Sequence, residues 1–131
     1  MANGNPVVLV VDDDNDVFTI IKMGFEKAGY AVHGFNDPIE ALTHIQEGCK
    51  ECELLLTDIR MPKMTGFELV RHVKKLRPEM KVVMMTAFEV NMTEIHAVFP
   101  TMPIDNVIRK PFVPSKLIEI INPLLPVRKE V

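Results

Sequence analysis

Six polar residues stand where apolar runs end. Asp12, Asp13 and Asp14 follow Val7–Val11, Asp58 follows Leu54–Thr57, Thr86 ends Val82–Thr86, and Lys110 comes shortly after Ile104–Ile108. Clustered carboxylates repel one another unless a cation lies between them. A hard divalent ion such as Mg²⁺ accepts carboxylate, carbonyl, water and phosphoryl oxygens. An aspartate can act as a nucleophile and form an aspartyl-phosphate. Phosphoryl transfer needs chiefly positioning and neutralisation of the equatorial oxygens. A metal, the Lys110 ammonium and the Thr86 hydroxyl could supply that neutralisation. Asp14 reads instead as a solvated or helix-capping residue.

The elements that must position these groups follow from patterning. Val7–Val11, Leu54–Thr57 and Val82–Thr86 are apolar without alternation and rich in β-branched residues. Such runs mark strands buried on both faces of a parallel sheet. Ala31–Phe35 and Ile104–Ile108 are weaker versions, giving five predicted strands. Helical patterns separate them. Val17, Ile20, Ile21 and Phe25 form one apolar face, ended at Gly29. Asp37-Pro38-Ile39-Glu40 and Thr65-Gly66-Phe67-Glu68 are helix starts, with a capping residue and a glutamate that reaches back. Asn91-Met92-Thr93-Glu94 opens a short fourth helix ending near Pro100, and Pro114 to Asn122 forms a fifth. Regular alternation of strand and helix predicts an α/β fold, a doubly wound parallel sheet with helices on both faces. The site of such a sheet lies at the carboxyl ends of its strands.

Composition agrees with one domain. The chain has 131 residues, 47% hydrophobic and 25% charged, with 15 Lys and Arg against 18 Asp and Glu and a net charge of −3. A chain-wide basic surface for nucleic acid or anionic lipid is excluded. No apolar run approaches the roughly 18 residues of a membrane span, and the first is too short for a signal peptide, so a cytoplasmic protein is expected.

Asp12-Asp13 after the first strand, Thr57-Asp58-Ile59-Arg60-Met61-Pro62-Lys63-Met64-Thr65-Gly66, Met85-Thr86-Ala87 and Arg109-Lys110-Pro111-Phe112 occur in that order. In this the sequence resembles the receiver domain of response regulators of two-component signalling, from about Val7 to Asn122. The resemblance implies a flavodoxin- or CheY-like five-stranded sheet of order 2-1-3-4-5. It implies that Asp58 accepts a phosphoryl group from the phosphohistidine of a histidine kinase or phosphotransfer protein. Asp12 and Asp13, with Asp58 and the Arg60 backbone carbonyl, would hold Mg²⁺. Lys110 would pair with the phosphoryl oxygens, and Thr86 would couple them to the face of the fourth helix, fifth strand and fifth helix. That face would serve a downstream protein target, an effector domain or a phosphorylation-linked homodimer. A cis Lys110–Pro111 bond is expected as well.

Departures from the family pattern are local. Val107 replaces the aromatic residue usual three positions before the lysine. Phe99-Pro100-Thr101-Met102-Pro103 stands where Gly-Ala is common. Arg60 and Phe88, each two positions after a site residue, would shield an acyl phosphate and slow its hydrolysis. Arg60 also stands where Asp-nucleophile phosphohydrolases often carry a second Asp, which argues against that alternative. A degenerate receiver acting without phosphorylation is the other alternative. Residues 1–126 read as the domain, and 127–131 as a tail or the start of a linker, with the Leu124–Leu125 pair as a linker start or a partner-facing edge. Cys49-Lys50-Glu51-Cys52 reads as a pair of free thiols. A zinc site needs four ligands, and the four histidines show no ligand spacing.

Overall fold

The computed structural model describes residues 6–87, 92–98, 101 and 103–125. The strands are β1 (Val7–Val11), β2 (Ala31–Phe35), β3 (Cys52–Asp58), β4 (Lys81–Thr86) and β5 (Asn106–Arg109). The helices are α1 (Asn15–Lys27), α2 (Pro38–Gln46), α3 (Gly66–Leu76), α4 (Met92–Val98) and α5 (Pro114–Ile121), followed by a 3₁₀ turn at Asn122–Leu124. All strand pairs are parallel, in the order β2-β1-β3-β4-β5.

Strand residues alternate between two cores even though the runs are uniformly apolar. Leu9, Val11, Leu55, Val82 and Met84 face α2, α3 and Ile95 of α4. Val8, Val10, Leu54, Leu56, Val83 and Met85 face α1 and α5. Burial on both faces is why no polar alternation is visible in these strands.

Local chemistry starts and stops the helices where the side chains require it. Asp14 caps α1 by accepting from the backbone N–H groups of Asp16 and Val17. Asp37 caps α2, with Pro38 in its first turn. Thr65 and Glu68 close a reciprocal capping box at α3. Gly29 and Gly48 follow α1 and α2 with φ of +97° and +100°, which costs glycine least. The expected start of α4 at Asn91 lies outside the described residues.

Several boundaries shift by one or two residues from the sequence expectation, and two departures bear on the packing. The fifth strand begins at Asn106 rather than Ile104, because the Asp105 carboxylate takes the Val82 N–H at 2.7 Å in place of a ladder partner. Ile104 is nonetheless buried. Beyond α5, Leu124 packs half-buried against the α1–α5 core and Leu125 is 6% exposed within it, so the pair packs onto the domain.

Candidate functional site

β1, β3 and β4 lie side by side at the centre of the sheet, so their carboxyl ends bring Asp12, Asp58 and Thr86 to one edge. Asp12 is fully buried, Thr86 is 2% exposed and Asp58 is 9% exposed. Lys110 arrives from the end of β5, where its N–H donates to the Thr86 carbonyl at 2.7 Å. The Lys110–Pro111 bond is cis, as expected.

The Lys110 ammonium lies 2.8 Å from Asp12 Oδ2 and 3.3 Å from Asp58 Oδ2. The remaining carboxylate oxygens are fixed by backbone. Asp12 Oδ1 accepts the Asp14 N–H, and Asp58 Oδ1 accepts the Ile59 N–H, both at 2.9 Å. Asp13 is exposed, and one carboxylate oxygen from each of Asp12, Asp13 and Asp58 lies within 4.8 Å of the others. This all-oxygen, acidic donor set is the kind that suits Mg²⁺. Arg60 is exposed in the loop after Asp58. Phe88 lies outside the described residues.

Electrostatics follow from this packing. Burial pushes the Asp58 carboxyl above its ordinary value; Lys110 works against that rise and the Asp12 charge adds to it. For Lys110, burial pulls downward but the Asp12 and Asp58 carboxylates outweigh it, so the ammonium titrates above its ordinary value.

Gly66 keeps the site compact. A Cβ there would lie 2.3 Å from the Asp58 carbonyl oxygen and 2.7 Å from the Met84 methyl. Its N–H donates to the Ile59 carbonyl at 2.7 Å, which closes the loop between Asp58 and α3. Val107, in place of an aromatic residue, is half-buried against the core that holds Met84 and Ile95.

The expectation of free thiols is corrected. Cys49 and Cys52 form a disulfide, with Cα atoms 5.6 Å apart. Sequence spacing gives the histidines no ligand role, yet tertiary packing brings His33 and His44 to this pair. The local signal was the Cys-x-x-Cys; the histidines come from β2 and α2, and their meeting depends on helix-on-sheet packing.

The described residues hold no helix long and apolar enough to cross a membrane. Residues 8–122 match the family of the response regulator receiver domain. The response regulator receiver protein CpdR of Brucella abortus (strain 2308) is 40% identical over 81 residues, covering 62% of this chain and 66% of CpdR. The response regulator SaeR of Staphylococcus aureus (strain USA300) is 30% identical over 118 residues, covering 90% of this chain and 50% of SaeR. The chain thus spans about half to two thirds of the length of these curated relatives. A CheY-like receiver domain protein from Methanospirillum hungatei JF-1 superposes with a TM-score of 0.80 at 33% identity, over 92% of this chain and 93% of that one. The chemotaxis response regulator CheY4 of Vibrio cholerae gives 0.81 at 27% identity, over 92% and 99%. The match runs through every strand of the sheet and through the aspartates, threonine and lysine gathered at its edge, and the chain belongs to the response regulator receiver domain family.

Proposed function

We propose that this domain is a phosphoacceptor switch and that Asp58 is the residue phosphorylated. The observation that carries the reading is the convergence of Asp12, Asp58 and Lys110 at the carboxyl ends of β1, β3 and β5, with one ammonium between two carboxylates. Asp58 attacks the phosphorus of a phosphohistidine on a histidine kinase or phosphotransfer protein. An O–P bond forms, the P–N bond breaks, and the imidazole leaves and takes a proton. A carboxylate destabilised by burial and a neighbouring like charge is more nucleophilic than a solvated one.

Asp12, Asp13, Asp58 and the Arg60 backbone carbonyl would hold Mg²⁺, which supplies charge neutralisation at the phosphoryl oxygens when bound. Lys110 turns from the carboxylates to the transferred phosphoryl group as a point-charge partner. Thr86 supplies a hydroxyl at the end of β4 and links the phosphoryl group to the face of α4, β5 and α5. That face reads out the modification to a downstream protein, to an effector domain of a longer chain, or to a second receiver. Arg60 shields the acyl phosphate from water. The protein works in the cytoplasm, and the domain turns over no substrate other than its own phosphoryl group.

Intact mass after incubation with acetyl phosphate tests the assignment, with and without Mg²⁺, in wild type and Asp58→Asn. The expected result is a Mg²⁺-dependent gain of one phosphoryl group, absent in the variant. A gain that persists in Asp58→Asn would overturn the residue assignment. No gain from acetyl phosphate or from a phosphohistidine donor would overturn the switch and favour a phosphorylation-independent interaction module.

A further inference from the structure

On the α2–α3 side of the sheet, with Cys52 at the opposite end of β3 from Asp58, two cysteines and two histidines converge. His33 is the middle residue of β2, His44 lies in the last turn of α2, Cys49 follows Gly48 in the α2–β3 connection, and Cys52 opens β3. Cys49 and Cys52 are 6% and 0% exposed, and both histidines are half-buried. One ligand atom from each of the four lies within 4.8 Å of the others.

We infer that, with its thiols reduced, this chain binds one Zn²⁺ through Cys49 Sγ, Cys52 Sγ, His33 Nδ1 and His44 Nε2.

The distances support tetrahedral chelation. Zn–N bonds of about 2.0–2.1 Å and Zn–S bonds of about 2.3 Å imply ligand edges of about 3.3 Å for N–N and about 3.6 Å for N–S. His33 Nδ1 lies 3.0 Å from His44 Nε2, 3.6 Å from Cys49 Sγ and 3.8 Å from Cys52 Sγ. Of the three remaining edges, the one between the sulfurs is closed here by the disulfide, and the two from His44 to the sulfurs fall within the 4.8 Å that spans the group. Disulfide and metal site use the same two sulfurs, so each excludes the other. A dithiol reductant opens the bond by giving it two electrons and two protons, and is itself oxidised to a disulfide. Zinc binding then forms two Zn–S bonds and releases both thiol protons.

Donor chemistry selects the ion. Two thiolates and two neutral imidazoles are a soft, nitrogen-and-sulfur set suited to Zn²⁺ and unsuited to Mg²⁺ or Ca²⁺. Two thiolates also cancel the ion's charge, which fits a mostly buried site.

The backbone is built to present these atoms. The register of β3 on β1 shifts between Val7↔Cys52 and Val8↔Leu54, leaving Glu53 as an extra residue. Without that bulge Cys52 and Leu54 would share a face; with it, Leu54 points to the α1–α5 core and Cys52 to the α2–α3 core. Arg77, at the end of α3, donates to the carbonyls of both Cys49 and Cys52 and so pins the loop. Such outer partners orient metal ligands. The bound ion would tie β2, α2 and the start of β3 together.

The test uses protein reduced with a phosphine, stripped by a chelator and held in excess Mg²⁺ to occupy the carboxylates. Zn²⁺ is then titrated, and Co²⁺ substituted as a spectroscopic probe. We expect one Zn²⁺ per chain, a tetrahedral Co²⁺ spectrum with thiolate charge transfer, and no binding after oxidation to the disulfide. Cys52→Ser and His44→Ala should each weaken binding by more than about a hundredfold, beyond the roughly 10–100-fold that loss of an outer-shell partner gives. Circular dichroism checks that both variants fold, and X-ray absorption of the wild-type zinc complex reads the S₂N₂ set without a variant. Absence of binding by the reduced protein would overturn the site. So would a Co²⁺ spectrum lacking sulfur charge transfer, or a His44→Ala variant of unchanged affinity.

Discussion

Lys110 reaches from the end of β5 to place its ammonium 2.8 Å from Asp12, a carboxylate with no solvent exposure. The same ammonium lies 3.3 Å from Asp58. One positive charge thus serves two nearly buried negative ones, and an additional cation is the natural complement.

Removing that charge should be costly. In Lys110→Ala two carboxylates lose their positively charged partner, and breaking a buried pair costs roughly 3–5 kcal/mol. Lys110 is partly exposed, so the lower end is expected. Denaturant unfolding with and without Mg²⁺ checks this, with Mg²⁺ restoring part of the loss. The raised titration of Lys110 means that its contribution is complete at neutral pH. That contribution disappears only as pH rises past the ordinary lysine value of about 10.4 and through the folded one.

Asp58 has the opposite consequence at neutral pH. Its carboxyl titrates above its ordinary value when folded, so its favourable contribution is present at low pH and lost as pH rises through the folded pKa. Ionised Asp58 therefore destabilises the metal-free domain at neutral pH. Asp58→Asn keeps an oxygen to accept the Ile59 N–H and removes the charge. Its melting temperature in a chelator should exceed that of wild type at pH 7 and converge with it near pH 4. Equal melting temperatures at both pH values would contradict this electrostatic account.

Mg²⁺ should stabilise the folded state by mass action, by about 2.7 kcal/mol at a hundred times its Kd. Asp13→Asn should remove most of that gain while leaving metal-free stability near wild type, because Asp13 is exposed. Thermal melts over a Mg²⁺ series, for both proteins, give the comparison.

Gly66→Ala should strain the loop beneath Asp58. The added methyl would sit 2.3 Å from a backbone oxygen that cannot rotate away. Overpacking of this kind costs about 1–3 kcal/mol. Acetyl phosphate labelling should slow along with the stability loss, because the shift falls on the peptide that carries Asp58.

Leu125→Ala should destabilise the domain by about 2–5 kcal/mol, the range for truncating a buried leucine. Leu125 is the buried member of the pair and lies in the core formed by α1 and α5. Thermal melts of that variant beside the full chain check it.

The acidic site was legible in the sequence because parallel α/β sheets place strand carboxyl ends at one edge. Asp12, Asp58, Thr86 and Lys110 each sit beside a recognisable apolar run, so local pattern was enough to gather them. The caps at Asp14, Asp37 and Thr65 were legible for the same reason: they depend on residues two or three positions away. The start of β5 was not, because Asp105 satisfies a β4 amide with its side chain 23 residues away in sequence. The place of Leu125 was hidden too, since nothing in Pro-Leu-Leu-Pro states which core lies beneath it. Least legible was the cysteine–histidine cluster. His33 and Cys49 are 16 residues apart, and His33 and His44 are 11 apart, in elements of different periodicity. Their meeting depends on α2 packing on the β2 edge and on a bulge that turns Cys52 toward it. Hydrophobic periodicity determines which face of each element is buried, and so the sequence by itself determined the layers and the acidic edge. Which buried faces meet, and at what register, is decided only when the elements pack together.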